Sequence, residues 1–264
     1  MTGHLKDRLV VITGASSGLG EAIAYKVAES GGHLILLARR TERLKQIADQ
    51  IQSTYNVSCV VEYLDIRNLH SVEATFERIL REHDRIDVLV NNAGVGVFRS
   101  FEDASLEEME EMFEVNVYGL MACTKYVLPY MLKQKSGHII NIASQAGKMG
   151  TPKSSIYAAS KHAVLGFTNS LRMEVADYGV YVTAVNPGPI ETPFFETADT
   201  SGKYVKNVRK WMLQPDEVAD KVVRLMLTKK RELNLPWWME FGSIIYRLMP
   251  TVFEQLAKKG FNQK

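Results

Sequence analysis

Residues 8–20 read RLVVITGASSGLG, an apolar run over Arg8–Thr13 that passes directly into Thr13-Gly14-Ala15-Ser16-Ser17-Gly18-Leu19-Gly20. Consecutive Val and Ile positions suit a strand covered on both faces of a parallel sheet. The glycines let the chain turn sharply into a helix whose first backbone amides face the strand end, which suits a pyrophosphate. The spacing is Gly-x-x-x-Gly-x-Gly rather than the commoner Gly-x-Gly-x-x-Gly. Taken alone, it also fits a tight turn that holds no ligand.

Outward from that turn the same unit recurs. Apolar runs at His33–Ala38, Val57–Leu64, Ile86–Val90, His138–Ala143 and Val180–Asn186 alternate with helical patterns at Gly20–Ser30, Glu42–Thr54, Leu69–His83, Leu106–Lys133 and Ser155–Tyr178. This alternation predicts an α/β fold, a Rossmann-like doubly wound parallel sheet with helices on both faces. No linker, charge block or low-complexity run divides the chain, so residues 1–264 read as a single domain. Prolines at 187, 189, 193 and 215 break the rhythm, and 188–214 is expected to be a long functional loop. A helix is expected to resume at Pro215-Asp216-Glu217.

The unusual residues fall at strand ends. After the glycine turn come Arg39-Arg40 behind the second strand and Asp65 behind the third. Asn91-Asn92-Ala93-Gly94 follows the fourth, Ser144 the fifth, and Asn186-Pro187-Gly188 closes the sixth. In a parallel sheet these places share one edge, outside the carboxyl ends of the strands, where open α/β folds bind ligands. One site is therefore expected.

An acid at the end of the second strand would read a ribose 2′-hydroxyl. This chain has Ala38-Arg39-Arg40-Thr41 there, and guanidinium forks with the Ser16 hydroxyl suit a 2′-phosphate. The alternative is a solvated arginine pair before a helix capped by Thr41. Tyr157 and Lys161 lie one helical turn apart, so they share a face. A tyrosine is a poor base near neutral pH, and a neighbouring ammonium is expected to lower its pKa into use. Ser144 ends the strand leading into that helix and can bond the same substrate oxygen. Asn116 sits in an apolar helical stretch, either as a satisfied buried amide or as part of a proton relay near Lys161.

Composition excludes several classes. Net charge is +2 with mixed signs, which gives no reason to expect nucleic acid. The 46% hydrophobic and 23% charged content is that of a globular enzyme. Cys59 and Cys123 sit in apolar stretches and read as buried thiols in a reducing compartment. The N-terminal residues do not read as a signal peptide and no apolar run spans a bilayer, so a cytoplasmic protein is expected.

These residues together resemble the classical short-chain dehydrogenase/reductase family over roughly residues 7–230. The likeness rests on Thr13-Gly14, Gly18-Leu19-Gly20, Asn91-Asn92-Ala93-Gly94, Asn116, Ser144, Tyr157-x-x-x-Lys161 and Pro187-Gly188. It implies about seven strands, the last near Leu233–Leu235, and hydride transfer between NADP(H) and a small-molecule carbonyl or alcohol substrate. It implies that Tyr157 exchanges the proton, Ser144 steadies the substrate oxygen, and Lys161 binds the nicotinamide ribose. By the same likeness Asn116 would anchor a relay water. The cofactor would be held by Gly14, Ser16, Ser17, Gly18, Leu19, Gly20, Arg39, Arg40, Asp65, Ile66, Asn91, Ala93, Gly94, Pro187, Gly188, Ile190 and Thr192, with Tyr157 and Lys161. Arg39 resembles the NADP(H)-preferring branch. A homodimer or homotetramer is the implied assembly, and no metal is expected.

Within that chemistry the substrate stays open. A small or medium ketone or aldehyde comes first; a hydroxy acid, a β-hydroxy amino acid or a 3-oxoacyl thioester are alternatives. A non-catalytic NADP(H)-binding regulator is the reading from another class, and the complete Ser144, Tyr157, Lys161 set argues against it. The chain departs from many members at residues 236–264, where Pro236-Trp237-Trp238-Met239-Glu240-Phe241 begins an apolar extension instead of a short Asp-Gly-Gly end. That stretch reads as a helix on the core or on a subunit partner, as a wall for a bulky substrate, or as a shallow membrane contact aided by Lys258 and Lys259.

Overall fold

The computed structural model describes residues 3–261, with side chains described to residue 255. Seven parallel strands form one sheet in the order β3-β2-β1-β4-β5-β6-β7. They are β1 (Leu9–Thr13), β2 (His33–Ala38), β3 (Cys59–Tyr63), β4 (Val88–Asn91), β5 (Gly137–Ile142), β6 (Val180–Pro187) and β7 (Glu232–Leu235). The strand order reverses between β1 and β4, leaving a crevice at their carboxyl ends.

Alternation along the strands sorts the core into two layers. Val10 and Ile12 of β1 pack with α1 (Gly18–Glu29), α2 (Thr41–Thr54) and α9 (Pro215–Leu225) on one face. Val11 packs on the other, with α3 (Leu69–Glu82), α5 (Leu120–Gln134) and α6 (Ser155–Glu174). Both faces of the central strands are covered, which is why these strands read as unbroken apolar runs.

Four expectations need correction. Arg40, not Thr41, holds the N-cap position of α2, and Thr41 is its first residue. The helical run from Leu106 is α4 (Leu106–Phe113), then a π-helical stretch over Glu114–Gly119, then α5. The π turn contains Asn116, whose polar side chain has partners off the helix. The segment 188–214 is not an aperiodic loop: it folds into α7 (Phe194–Ala198), α8 (Lys203–Val208) and a 3₁₀ turn at Arg209–Trp211. The prolines punctuate these short helices. The strand expected over Val57–Leu64 is shorter, because residues 56–58 lie outside the ladder, which pairs from Cys59 against Leu34.

Beyond β7 the chain forms α10 (Trp237–Leu248) and α11 (Pro250–Phe261). One side of α10 faces the crevice, whereas Trp237, Phe241 and Leu248 point away from it, with Trp237 and Leu248 each 77% exposed. The side chains of Lys258 and Lys259 lie outside the described residues. No helix among the described residues is long and apolar enough to cross a membrane. Cys59 and Cys123 are free and buried, and burial raises both thiols, Cys59 to about 12.

Candidate active site

A cleft of about 930 Å³ opens at the β1/β4 reversal. Its wall at the ends of β1 and β4 is main chain locked by partly buried hydrogen bonds. Gly14 has φ of +66°, and a Cβ there would stand 2.7 Å from the Ala93 Cα. Thr13 Oγ1 accepts from the backbone amides of Asn92 and Ala93, at 3.0 and 3.1 Å. The Asn92 amide in turn donates to the carbonyls of Thr13 and Gly14. The turn is thus stapled to the end of β4, and only glycine fits the approach. Gly18, also at positive φ, faces Thr192 across the cleft, where an added Cβ would come within 3.1 Å of the threonine Cβ.

Arg39 and Arg40 both line the cleft and are exposed. Arg40 donates from Nε to Ser16 Oγ at 3.1 Å and from Nη2 to Ser17 Oγ at 2.7 Å. It therefore fixes both hydroxyls at the start of α1. Asp65 and Ile66 line the same end. The Arg67 guanidinium beside Asp65 holds that carboxyl below its usual range.

At the far side of the reversal, Ser144 Oγ accepts from the Ala146 amide at 3.0 Å and faces Tyr157 within hydrogen-bond reach. Lys161 Nζ donates to the Ile142 carbonyl at 2.9 Å and lies 5.8 Å from the centre of the Tyr157 ring. Burial lowers Lys161 to about 8 and raises Tyr157 to about 12, the Ser144 bond offsetting part of the latter. This corrects the expectation that the ammonium depresses the tyrosine. In the ligand-free cleft desolvation outweighs the distant charge, and Nζ points to the end of β5 rather than to the phenol.

Of the expected residues, the cleft gathers Gly14, Ser16, Ser17, Gly18, Leu19, Arg39, Arg40, Asp65, Ile66, Ala93, Gly94, Ser144, Tyr157, Lys161, Pro187, Gly188, Ile190 and Thr192. Three stand behind its wall. Gly20 packs against the Asn92 amide. Asn91 is buried, with Nδ2 bonded to Thr124 Oγ1 and Asn141 Oδ1 at 3.0 and 2.9 Å, so its side chain braces β4 against β5. Asn116, 1% exposed, accepts from the Val95 amide and donates to the Val95 carbonyl and Ser160 Oγ. Its carboxamide is fully committed, tying the segment after β4 to α6.

The other half of the cleft was expected only in outline, as a substrate loop over 188–214 and an apolar wall beyond Pro236; Phe98 was missed. Phe98, Tyr204, Trp211 and Trp238 line it, and Phe98 meets Tyr157 edge-on at 5.5 Å. No spacing announces them. Lys148 was also missed: 7% exposed, it pairs with Glu232 at 2.6 Å and Glu240 at 2.7 Å, joining the turn after Ser144 to β7 and α10.

Residues 8–202 match the family model described as short chain dehydrogenase. The chain belongs to the short chain dehydrogenase family. It is 36% identical over 231 residues to an uncharacterized oxidoreductase of Staphylococcus epidermidis, covering 88% of this chain and 95% of that one. It is 35% identical over 258 residues to the human dehydrogenase/reductase SDR family member 7, covering 94% and 76% respectively. Among solved structures, an alcohol dehydrogenase of Thermococcus sibiricus complexed with 5-hydroxy-NADP superposes with a TM-score of 0.78 at 31% identity, covering 87% and 96%. Other solved members of this fold hold NADPH or NADP, and a Brucella melitensis 3-ketoacyl-(acyl-carrier-protein) reductase holds NADH. The chain is an oxidoreductase of this family, with a seven-stranded parallel sheet in one domain.

Proposed function

We propose that the protein is an NADP(H)-dependent oxidoreductase that interconverts a carbonyl compound and its alcohol, with Tyr157 as acid and base. The observation that carries this reading is the convergence of Ser144, Tyr157 and Lys161 on one end of a cleft whose other end presents two serines and two arginines. The cradle fits the cofactor. Gly14 lets the turn close on the end of β4, and Gly18 opens the twelve-residue α1, whose first amides would face an anion. Arg39, Arg40, Ser16 and Ser17 supply charge-assisted donors for a 2′-phosphate. Asp65 and Ile66 would hold the adenine, and Ile190 and Thr192 the nicotinamide, since all four line the cleft.

The bound nicotinamide supplies or accepts the hydride. During reduction Tyr157 Oη gives its proton to the carbonyl oxygen while Ser144 Oγ bonds the same oxygen. A phenol held near 12 is protonated at neutral pH, so it carries the proton that reduction requires. Lys161 would hold the ribose and replenish the proton; a relay through Asn116 would run by its main chain, since the carboxamide is already engaged. In oxidation the proton runs back to Tyr157. Replacing Tyr157 with Phe should lower turnover by about 10²–10⁴-fold while NADPH still quenches tryptophan fluorescence. Retained turnover would refute the role.

A further inference from the structure

The two halves of the cleft differ in what they can pair. Beyond Tyr157, away from Arg39 and Arg40, the wall is aromatic from the proton donor to the mouth. Phe98 packs edge-on to Tyr157 at 5.5 Å, Phe194 lies 6.0 Å from the same ring, and Tyr204 lies 4.9 Å from Phe98. At the rim Trp211 and Trp238 meet at 5.5 Å, bringing α10 against the turn after α8. This wall is a fixed one: Lys148, its side chain 7% exposed, ties α10 to the turn after Ser144 through Glu240.

Charge is almost missing from this half. Among the described lining residues, the ionisable groups other than tyrosine here are Lys161, bonded to the Ile142 carbonyl, and Glu196, exposed at the rim. Lys161 stands at the Tyr157 end, where the proposed function commits it to the cofactor ribose, and Glu196 repels an anion at the rim. Three of the polar lining side chains already donate within the protein. Gln145 donates to the Asn186 carbonyl, Ser154 to the Thr151 carbonyl, and Thr192 to the Ile190 carbonyl. An anion entering here would be desolvated without a partner, and a polyol would lose water bonds it could not replace. An apolar body instead buries area against rings.

We infer that the substrate of this site is an uncharged, predominantly apolar ketone, aldehyde or secondary alcohol whose body lies along the Phe98–Trp238 wall. Hydroxy acids, amino acids and phosphate-bearing acyl thioesters do not match it. The inference rests on the oxidoreductase reading above. In the reducing direction the carbonyl carbon takes the hydride of NADPH, its oxygen takes the Tyr157 proton, and the products are the alcohol and NADP.

A matched series tests it, following NADPH absorbance with the full chain. The probes are 2-butanone, 2-octanone and 7-oxooctanoate, the last being 2-octanone with its terminal methyl replaced by carboxylate. The expected result is a kcat/KM that rises roughly threefold with each added methylene and falls at least a hundredfold from 2-octanone to 7-oxooctanoate. Trp238→Ala should lower kcat/KM for 2-octanone about tenfold more than for 2-butanone, with NADPH binding as the check on folding. Equal rates for 2-octanone and 7-oxooctanoate, or no gain with chain length, would overturn the substrate class while leaving the oxidoreductase reading intact. Failure to reduce any member, with wild type and Tyr157→Phe equally silent, would overturn the reading beneath it.

Discussion

The two walls of the cleft are built from different materials. The cofactor side is main chain: a glycine turn, two carbonyls held by Asn92, and amides held by Thr13. The substrate side is side chain: rings from four separate segments that meet only in three dimensions. A main-chain surface tolerates almost no change in residue type, because its geometry depends on which residue permits which backbone angle. A side-chain surface can be rebuilt position by position. The first wall therefore fixes what the protein has in common with its family, and the second fixes what it acts on.

Substitutions on the two sides should separate accordingly. Gly14→Ala places a Cβ 2.7 Å from the Ala93 Cα at a positive φ. It should lower the melting temperature by about 5–15 °C and abolish NADPH binding. Phe194→Leu, on the opposite wall, should move the melting temperature by no more than about 3 °C while changing substrate preference. Similar losses at both positions in a thermal scan would erase the distinction. Next in size, Arg39→Ala should raise KM for NADPH about tenfold or more relative to NADH. Equal effects on both cofactors would mean the guanidinium does not read the phosphate.

The smallest effect is one of pH. Lys161 falls to about 8 in the folded protein and titrates near 10.4 in the unfolded chain. Between those values the unfolded state holds a proton that the folded state has released, so stability rises with pH across that window. Tyr157 works in the opposite direction only above pH 10, where the unfolded phenol ionises and the folded one, near 12, does not. Urea midpoints of the ligand-free protein should climb from pH 8 to 10, and Lys161→Met should flatten the climb. An unchanged slope in the variant would assign the effect elsewhere.

The same contrast explains what was legible in the sequence. Strand ends, the glycine turn and the Tyr157/Lys161 spacing are local, and a parallel sheet brings its strand ends to one edge without further information. Most of the cofactor wall followed from that rule. The Asn91 bridge from β4 to β5 did not, because nothing local marks a carboxamide that braces two strands. Tyr157 was placed correctly, but its ionisation was not: the direction depends on burial and on where Lys161 Nζ points, and neither is local. The Lys148 bridge to Glu232 and Glu240 joins residues more than eighty positions apart, the aromatic wall draws on separate segments, and no period links either set.

The central place of β1 also has a consequence in time. The bond from the Asn92 amide to Thr13 Oγ1 spans 79 positions. At ordinary rates of synthesis the ribosome needs roughly 4–16 s to cover that distance. Throughout it, the β4-facing edge of Leu9–Thr13 has no strand to pair with. An apolar strand left open that long is a template for pairing with other chains. The yield of soluble protein should therefore depend on what shelters those five residues during synthesis, before any cofactor can bind.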